Sequence, residues 1–217
     1  MPVDTCSSPL RRGPLRRSAA ARREQVQVSR AGHIVTNGHA VNLGGRIAVR
    51  GSDGTERETA LLYSDEAADL AVLRPISRPA EGALIPIRSP TAPIRWNEAV
   101  HAFSFPESVA TGGLFPHLRG DVTAMEGPGR NALRFGISAH ISPGFSGGPV
   151  LDDDGRVVGI AVIGIPGSGL NFAVRTGPLV DLLRRAGGPS VVVRDGIGRT
   201  PSADRVRPFV VQVLCHG

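Results

Sequence analysis

Apolar residues in this sequence come in short runs, and a glycine or proline cuts almost every one of them. Val26 and Val28 alternate with polar residues, Gly32 turns the chain into His33-Ile34-Val35-Thr36-Asn37, and Arg46-Ile47-Ala48-Val49-Arg50 ends at the turn Ser52-Asp53-Gly54. Alternation with period two between turn residues is the pattern of half-buried strands. Further runs at 59–63, 70–73, 84–87, 100–105, 120–125, 132–135, 148–151, 157–163 and 170–174 continue it. With 28 glycines and 18 prolines in 217 residues, an all-β chain built from small barrels is expected. One segment departs from this. Thr176-Gly177-Pro178 opens a helix over 177–186, with Thr176 as N-cap, Leu179, Val180, Leu182 and Leu183 on one side, Arg184-Arg185 in the last turn and Gly187 as the stop.

The same punctuation divides the chain. Residues 1–23 are rich in Arg, Ser, Pro and Ala and carry Asp4 as their one acid before Glu24, so they cannot offset ordering entropy and read as disordered. A first barrel is expected over about 24–78 and a second over about 84–175, joined by the proline-rich stretch from Arg74 to Asn97; 187–217 form an extension whose runs Val191-Val192-Val193 and Phe209-Val210-Val211 fit strands without an assigned place. The formal net charge is +6 and every basic residue is arginine. Six arginines lie before Glu24 and the others are scattered, which argues against a specific nucleic-acid groove. Cys6 and Cys215 match no metal or redox spacing and read as two unrelated thiols. No run reaches the length of a membrane span, and the arginine-rich start lacks a secretory apolar core, so a cytoplasmic location is the default expectation for a chain starting at Met1.

Chemistry concentrates in Ser142-Pro143-Gly144-Phe145-Ser146-Gly147-Gly148-Pro149-Val150-Leu151. Gly144 and Gly147-Gly148 can take backbone angles closed to other residues, so neighbouring N–H groups can converge on a space fit for an oxyanion beside the Ser146 hydroxyl. A serine needs a base, and the base needs an acid to fix its tautomer. His39 in Thr36-Asn37-Gly38-His39-Ala40-Val41, Asp69 in Ala68-Asp69-Leu70-Ala71-Val72-Leu73 and Ser146 follow one another in that order. The first lobe would carry His39 and Asp69 and the second Ser146, with the site in the cleft between them. Asp65 is the rival acid, in a turn context. His33, His101, His117 and His140 lack such partners and read as surface or pocket residues. Asp152-Asp153-Asp154-Gly155 reads as a solvated hairpin turn, not a cation site.

Together these motifs resemble the trypsin-like serine peptidases with the chymotrypsin double β-barrel, nearest the HtrA/Deg-type branch. Its Gly-x-Ile-x-Thr-Asn-x-His, Asp-Leu-Ala-Val-Leu and Pro-Gly-x-Ser-Gly-Gly-Pro patterns are matched at 32–39, 69–73 and 143–149, and Asn171-Phe172-Ala173-Val174 resembles the strand that follows. The resemblance implies two six-stranded antiparallel barrels with a C-terminal helix. It implies His39 as general base, Asp69 as orienting acid, Ser146 as nucleophile, and the N–H groups of Gly144 and Ser146 as the oxyanion hole. Val162-Ile163-Gly164 would pair with a peptide substrate, and Ala139, His140, Leu170 and Asn171 would wall the pocket for the side chain before the scissile bond, with a small or aliphatic preference. No cofactor or metal is implied.

The chain departs from the family at three places. Only 25–29 stands before the histidine strand, so the first barrel is expected to be incomplete, with an open edge. The family's glycine-rich strand before the histidine strand is replaced by Glu24-Gln25-Val26-Gln27-Val28. Phe145 stands where the trypsin branch has an acid that pairs with a new N-terminus. The stretch 187–217 is too short for a PDZ domain. A catalytically impaired module that binds extended peptides or acts as a scaffold is the alternative, and a salt-dependent nucleic-acid binder a third reading that rests on charge alone. Oligomeric state is not readable.

Overall fold

The computed structural model describes residues 22–29, 32–41, 45–77, 85–105, 115–141, 144–162, 164, 170–187 and 201–216. The expectations for 1–21, for Val191-Val192-Val193 and for Ile163 lie outside these residues. In chain order the elements are β1 (Arg22–Gln27), β2 (Ile34–Thr36), the single-turn helix α1 (Gly38–Val41), β3 (Arg46–Arg50), β4 (Glu56–Asp65) and β5 (Leu70–Pro75). Then come β6 (Ala99–Phe103), β7 (His117–Ala124), β8 (Arg134–Ile137), β9 (Pro149–Leu151), β10 (Val157–Val162), β11 (Asn171–Arg175), α2 (Thr176–Arg185), a short helix at Ala203–Val206 and β12 (Val210–His216).

Two closed six-stranded antiparallel barrels result, ordered β1-β12-β3-β4-β5-β2 and β10-β11-β8-β7-β6-β9. The first barrel's expected open edge is therefore corrected. β12 pairs with β1 through Val26↔Val210 to Arg22↔Leu214, and with β3 through Arg50↔Gln212 to Arg46↔His216. The place expected to lack a strand is filled by β12, which also gives Phe209-Val210-Val211 its place: Phe209 lies just before the strand and Val210-Val211 begin it. Closing the barrel leaves β1 and β3 with no unpaired edge toward each other.

Three apolar clusters explain the strand sequences. Ile34, Val49, Ala71, Leu73, Val211, Val213 and Cys215 fill the first barrel. Val100, Val122, Phe135, Ile137, Phe145, Val150 and Ala173 fill the second. A seam between the barrels holds Val35, Leu70 and Val72 from one side and Phe103, Leu151, Ile160 and Val174 from the other. β5 is buried on both faces, Ala71 and Leu73 inside the barrel and Leu70 and Val72 in the seam, so its sequence is a continuous apolar run instead of an alternating one.

α2 begins one residue earlier than its expected span of 177–186, and Arg175, not Thr176, occupies the N-cap position without a side-chain cap. Leu179, Leu182 and Leu183 enter the seam, and Gly187 at φ 67 ends the helix. Ile87 makes only an isolated bridge to Val157, so the short strand expected near it is not a ladder member. Among the described residues no helix is long and apolar enough to cross a membrane.

Candidate active site

His39 and Asp69 are brought together by two neighbouring pieces of the first barrel. β2 delivers the chain into α1, whose second residue is His39, and the corner after β4 delivers Asp69 to the start of β5. β2 and β5 are paired, Thr36 opposite Ala71, so the ends of both lie side by side. The Asp69 carboxylate then clasps His39 twice. Oδ1 accepts the backbone N–H of His39 at 2.9 Å, and His39 Nδ1 lies 2.8 Å from Oδ2 and 3.0 Å from Oδ1. A carboxylate oxygen accepts from an Nδ1–H, so in the neutral imidazole the proton sits on Nδ1 and Nε2 is the accepting nitrogen. The imidazole is 40% exposed and the carboxylate 18%: the carboxylate is sheltered and the imidazole accessible.

Asp69 holds this position in a left-handed backbone conformation, φ 54, which costs a non-glycine residue energy and persists only where its surroundings fix it. Its N–H donates to the Glu66 carbonyl at 3.2 Å, and its carbonyl accepts from Asn37 Nδ2 at 3.1 Å. Asn37 is fully buried, and its Oδ1 has no hydrogen-bond partner. The positioning role of Asn37 is not announced by the sequence, although it lies two residues before His39 in the same motif. Asp65, the rival acid, accepts the N–H of Ala68 at 3.0 Å and serves the turn.

Ser146 lies in the second barrel's loop before β9, is only 3% exposed, and sits between Gly144 at φ 107 and Gly147 at φ 93. These left-handed angles are the ones expected of Gly144 and Gly147, whereas Gly148, expected to share them, does not. The loop is tied to β10, since Gly147 N–H donates to the Ala161 carbonyl at 2.9 Å and Ala161 N–H to the Gly148 carbonyl at 2.9 Å. Phe145 is buried in the second barrel's interior, which accounts for an apolar residue at that position.

The expected pocket residues are spread over three segments of the second barrel. Ala139 and Asn171 are buried, whereas His140 and Leu170 are exposed. Val162 ends β10 opposite Phe172. Gly164 touches the backbone of Leu170 so closely that any Cβ would fall 1.4 Å from the Leu170 carbonyl oxygen, which makes glycine obligatory at that bend.

Two histidines depart from the surface or pocket reading. His101 is buried, with Nε2 2.8 Å from Asp153 Oδ1 and Nδ1 2.8 Å from His117 Nε2, and His117 stacks on Phe103. His33 is buried with Nδ1 2.6 Å from the Ser29 hydroxyl. Burial first, then His101, pushes the His117 pKa below its ordinary value; burial first, then Arg74, does the same to His33. The partner of His101, Asp153, stands on a distant segment of the chain, a pairing no local motif announces. A cavity of about 390 Å³ near Arg88, Trp96 and Asp154 belongs to the second barrel and includes none of the candidate catalytic residues.

Two closed six-stranded barrels, with a histidine clasped by a carboxylate on one and a serine on a glycine turn of the other, define the class as a chymotrypsin-like double-barrel fold. Residues 26–160 match the family described as a trypsin-like peptidase domain, and the chain belongs to that family, as an HtrA-type protease domain. It is 32% identical to a probable periplasmic serine endoprotease, DegP-like, of Chlamydia pneumoniae over 68% of this chain and 30% of that protein. It is 31% identical to the mitochondrial serine protease HTRA2 of Bos taurus over 73% of this chain and 34% of the relative. An uncharacterized protein, y4bJ of Sinorhizobium fredii (strain NBRC 101917 / NGR234), is 32% identical over 99% of this chain and 35% of its own length. The chain thus spans about a third of these relatives. Among solved structures, the HtrA-type protease AlgW with decapeptide superposes with a TM-score of 0.63 at 25% identity, covering 75% of this chain and 50% of that one.

Proposed function

We propose that the chain is a serine endopeptidase that hydrolyses peptide bonds through an acyl-enzyme. The observation that carries this reading is the double clasp of Asp69 on His39, which fixes the imidazole with Nε2 as the accepting nitrogen. His39 Nε2 takes the Ser146 hydroxyl proton as Oγ attacks the substrate carbonyl carbon. The resulting oxyanion is held by the N–H groups of Gly144 and Ser146. Collapse breaks the C–N bond as the imidazolium gives its proton to the departing amine. Water, deprotonated by the same nitrogen, then releases the acyl group and restores the Ser146 hydroxyl.

The substrate is a peptide lying extended along 162–164 as an added strand, with Ala139, His140, Leu170 and Asn171 around the side chain before the scissile bond. A small or aliphatic side chain suits this wall, which offers no carboxylate. The solved HtrA-type protease AlgW carries a decapeptide, which supports a peptide as the ligand class. The alternative of an impaired peptide-binding module rests on a first barrel lacking a strand, and β12 occupies that place.

The test is labelling by a fluorophosphonate probe. The wild-type protein is expected to be labelled at Ser146 and the Ser146→Ala variant to be unlabelled. A wild-type protein that resists the probe under conditions where it is folded overturns the reading.

A further inference from the structure

α1 is a single turn of four residues, too short to hold its own conformation. Where it points His39 must therefore be set by what it rests on. The two residues after His39, Ala40 and Val41, are buried in the interior of the first barrel together with Val211, Val213 and Cys215, the inward stripe of β12. The contact reaches the backbone itself: Cys215 Sγ–H donates to the Ala40 carbonyl at 3.5 Å. The same cluster contains Ala71 and Leu73 of β5, the strand that Asp69 leads into. One face of the carboxy-terminal strand thus underlies both members of the His39–Asp69 pair, from the far end of the chain.

We propose that β12 is the positioning strand of the catalytic imidazole, with Val213 and Cys215 setting where α1 presents His39 to the serine half. This rests on the reading of Ser146 and His39 as nucleophile and base. The physical leverage is geometric, because a displacement of about 1 Å at a reacting group costs on the order of a hundredfold in rate. Ala40 is the residue next to His39, and the atom Cys215 touches is its backbone carbonyl, so any slack there is passed directly to the imidazole. Leu214 is a built-in control. It is buried on the opposite face of the same strand and is not part of the cluster that holds Ala40.

The experiment uses the full chain with Cys215→Ala, Cys215→Ser, Val213→Ala and Leu214→Ala. Three quantities are read: thermal stability, peptidase kcat and KM, and solvent exchange of the His39 Nδ1 proton by NMR. Cys215→Ala and Val213→Ala are expected to lower kcat about tenfold at unchanged KM, since the substrate strand lies in the other barrel, and to speed Nδ1 proton exchange about tenfold. Cys215→Ser keeps a donor to the Ala40 carbonyl and should stay within about threefold of wild type. Leu214→Ala should lower the melting temperature while leaving kcat and exchange within about twofold. The proposal is overturned if Cys215→Ala and Val213→Ala leave both readouts unchanged, or if Leu214→Ala moves them as much, which would make β12 ordinary core. The proton-exchange readout needs no catalysis. A wild-type protein unlabelled at Ser146 would therefore remove the peptidase reading while the exchange data still decide whether β12 positions His39.

Discussion

The half that carries His39 and Asp69 and the half that carries Ser146 are assembled differently. All six strands of the second barrel come from one continuous stretch, Ala99 to Arg175. The first barrel takes five strands from Arg22 to Pro75 and its sixth from Val210 to His216, so its closure waits on a strand from a distant part of the chain. A barrel closed by distant pairings bears a larger loop-closure cost, so the first barrel is expected to close after the second. The difference teaches that the His39–Asp69 pair, unlike Ser146, sits in a barrel that depends on a strand from a distant part of the chain.

The largest effects break the His–Asp half at its chemistry. Asp69→Asn should lower kcat about ten-thousandfold, because an amide can present a donor to Nδ1 and leave the imidazole in the wrong tautomer. Steady-state cleavage of a peptide pool, with fluorophosphonate labelling rates alongside, measures it. Equal activity of the variant and the wild type would show that another acid orients His39. Asn37→Ala should act through Asp69. It removes the donor to the Asp69 carbonyl that helps hold φ 54, and a loss of about 1 kcal/mol of stability is expected together with lower kcat.

Next come effects on stability alone. Phe135→Ala, in the interior of the second barrel, should cost about 3–5 kcal/mol, and Leu73→Ala, in the first, about 2–5 kcal/mol. Hydrogen exchange distinguishes the halves: in mild denaturant the amides of β1, β3 and β12 are expected to lose protection before those of β6 to β11. The reverse order would contradict the picture of a late-closing first barrel.

Acid provides a comparison with one probe in each half. His33 in the first barrel and His117 in the second both have folded-state pKa values below the ordinary one, with desolvation as the first cause, but His117 is exposed on β7 while His33 is buried, so solvent screens much of the His117 effect. The unfolded chain therefore takes up these protons first as pH falls. The stability held above about pH 6.5, the ordinary imidazole value, is lost progressively below it. His33 is the more enclosed, being buried where His117 is exposed, and its Nδ1 faces the Ser29 hydroxyl, which accepts the His33 backbone N–H at 3.1 Å. Melting temperatures between about pH 7.5 and 5, a range that brackets the ordinary imidazole value, should fall less steeply in His33→Asn than in wild type, and the His117→Asn slope should lie between them.

How much of this is legible in the sequence depends on how local each signal is. β1 paired with β2, the turn at Ser52-Asp53-Gly54 and the α2 stop at Gly187 follow from alternation and glycine placement within a few residues. The triad candidates follow from three motifs that each sit beside one strand end. The place of β12 is not legible, because Val210-Val211-Gln212-Val213-Leu214 carries no mark of partners as far back as β1 and β3. The His101–Asp153 pair is hidden for the same reason. The one-residue shift of the α2 N-cap reflects Thr176 being buried at the junction with β11, where packing overrides capping preference.

The smallest predicted effect separates the two acids at the β4–β5 corner. Asp65 and Asp69 lie one turn apart, yet one carboxylate serves the corner through the N–H of Ala68 and the other clasps His39. Asparagine at position 65 still offers a carbonyl oxygen to that N–H, so Asp65→Asn should cost less than about 1 kcal/mol and leave kcat within about twofold. Asparagine at position 69 cannot replace a carboxylate that accepts from both the backbone N–H and Nδ1 of His39. Placing the two isosteric substitutions side by side, with melting temperature and kcat for each, asks whether the corner positions the base through one specific carboxylate or through its general acidity. A comparable loss of kcat from both would favour the second, and would move the orienting role from Asp69 to the corner as a whole.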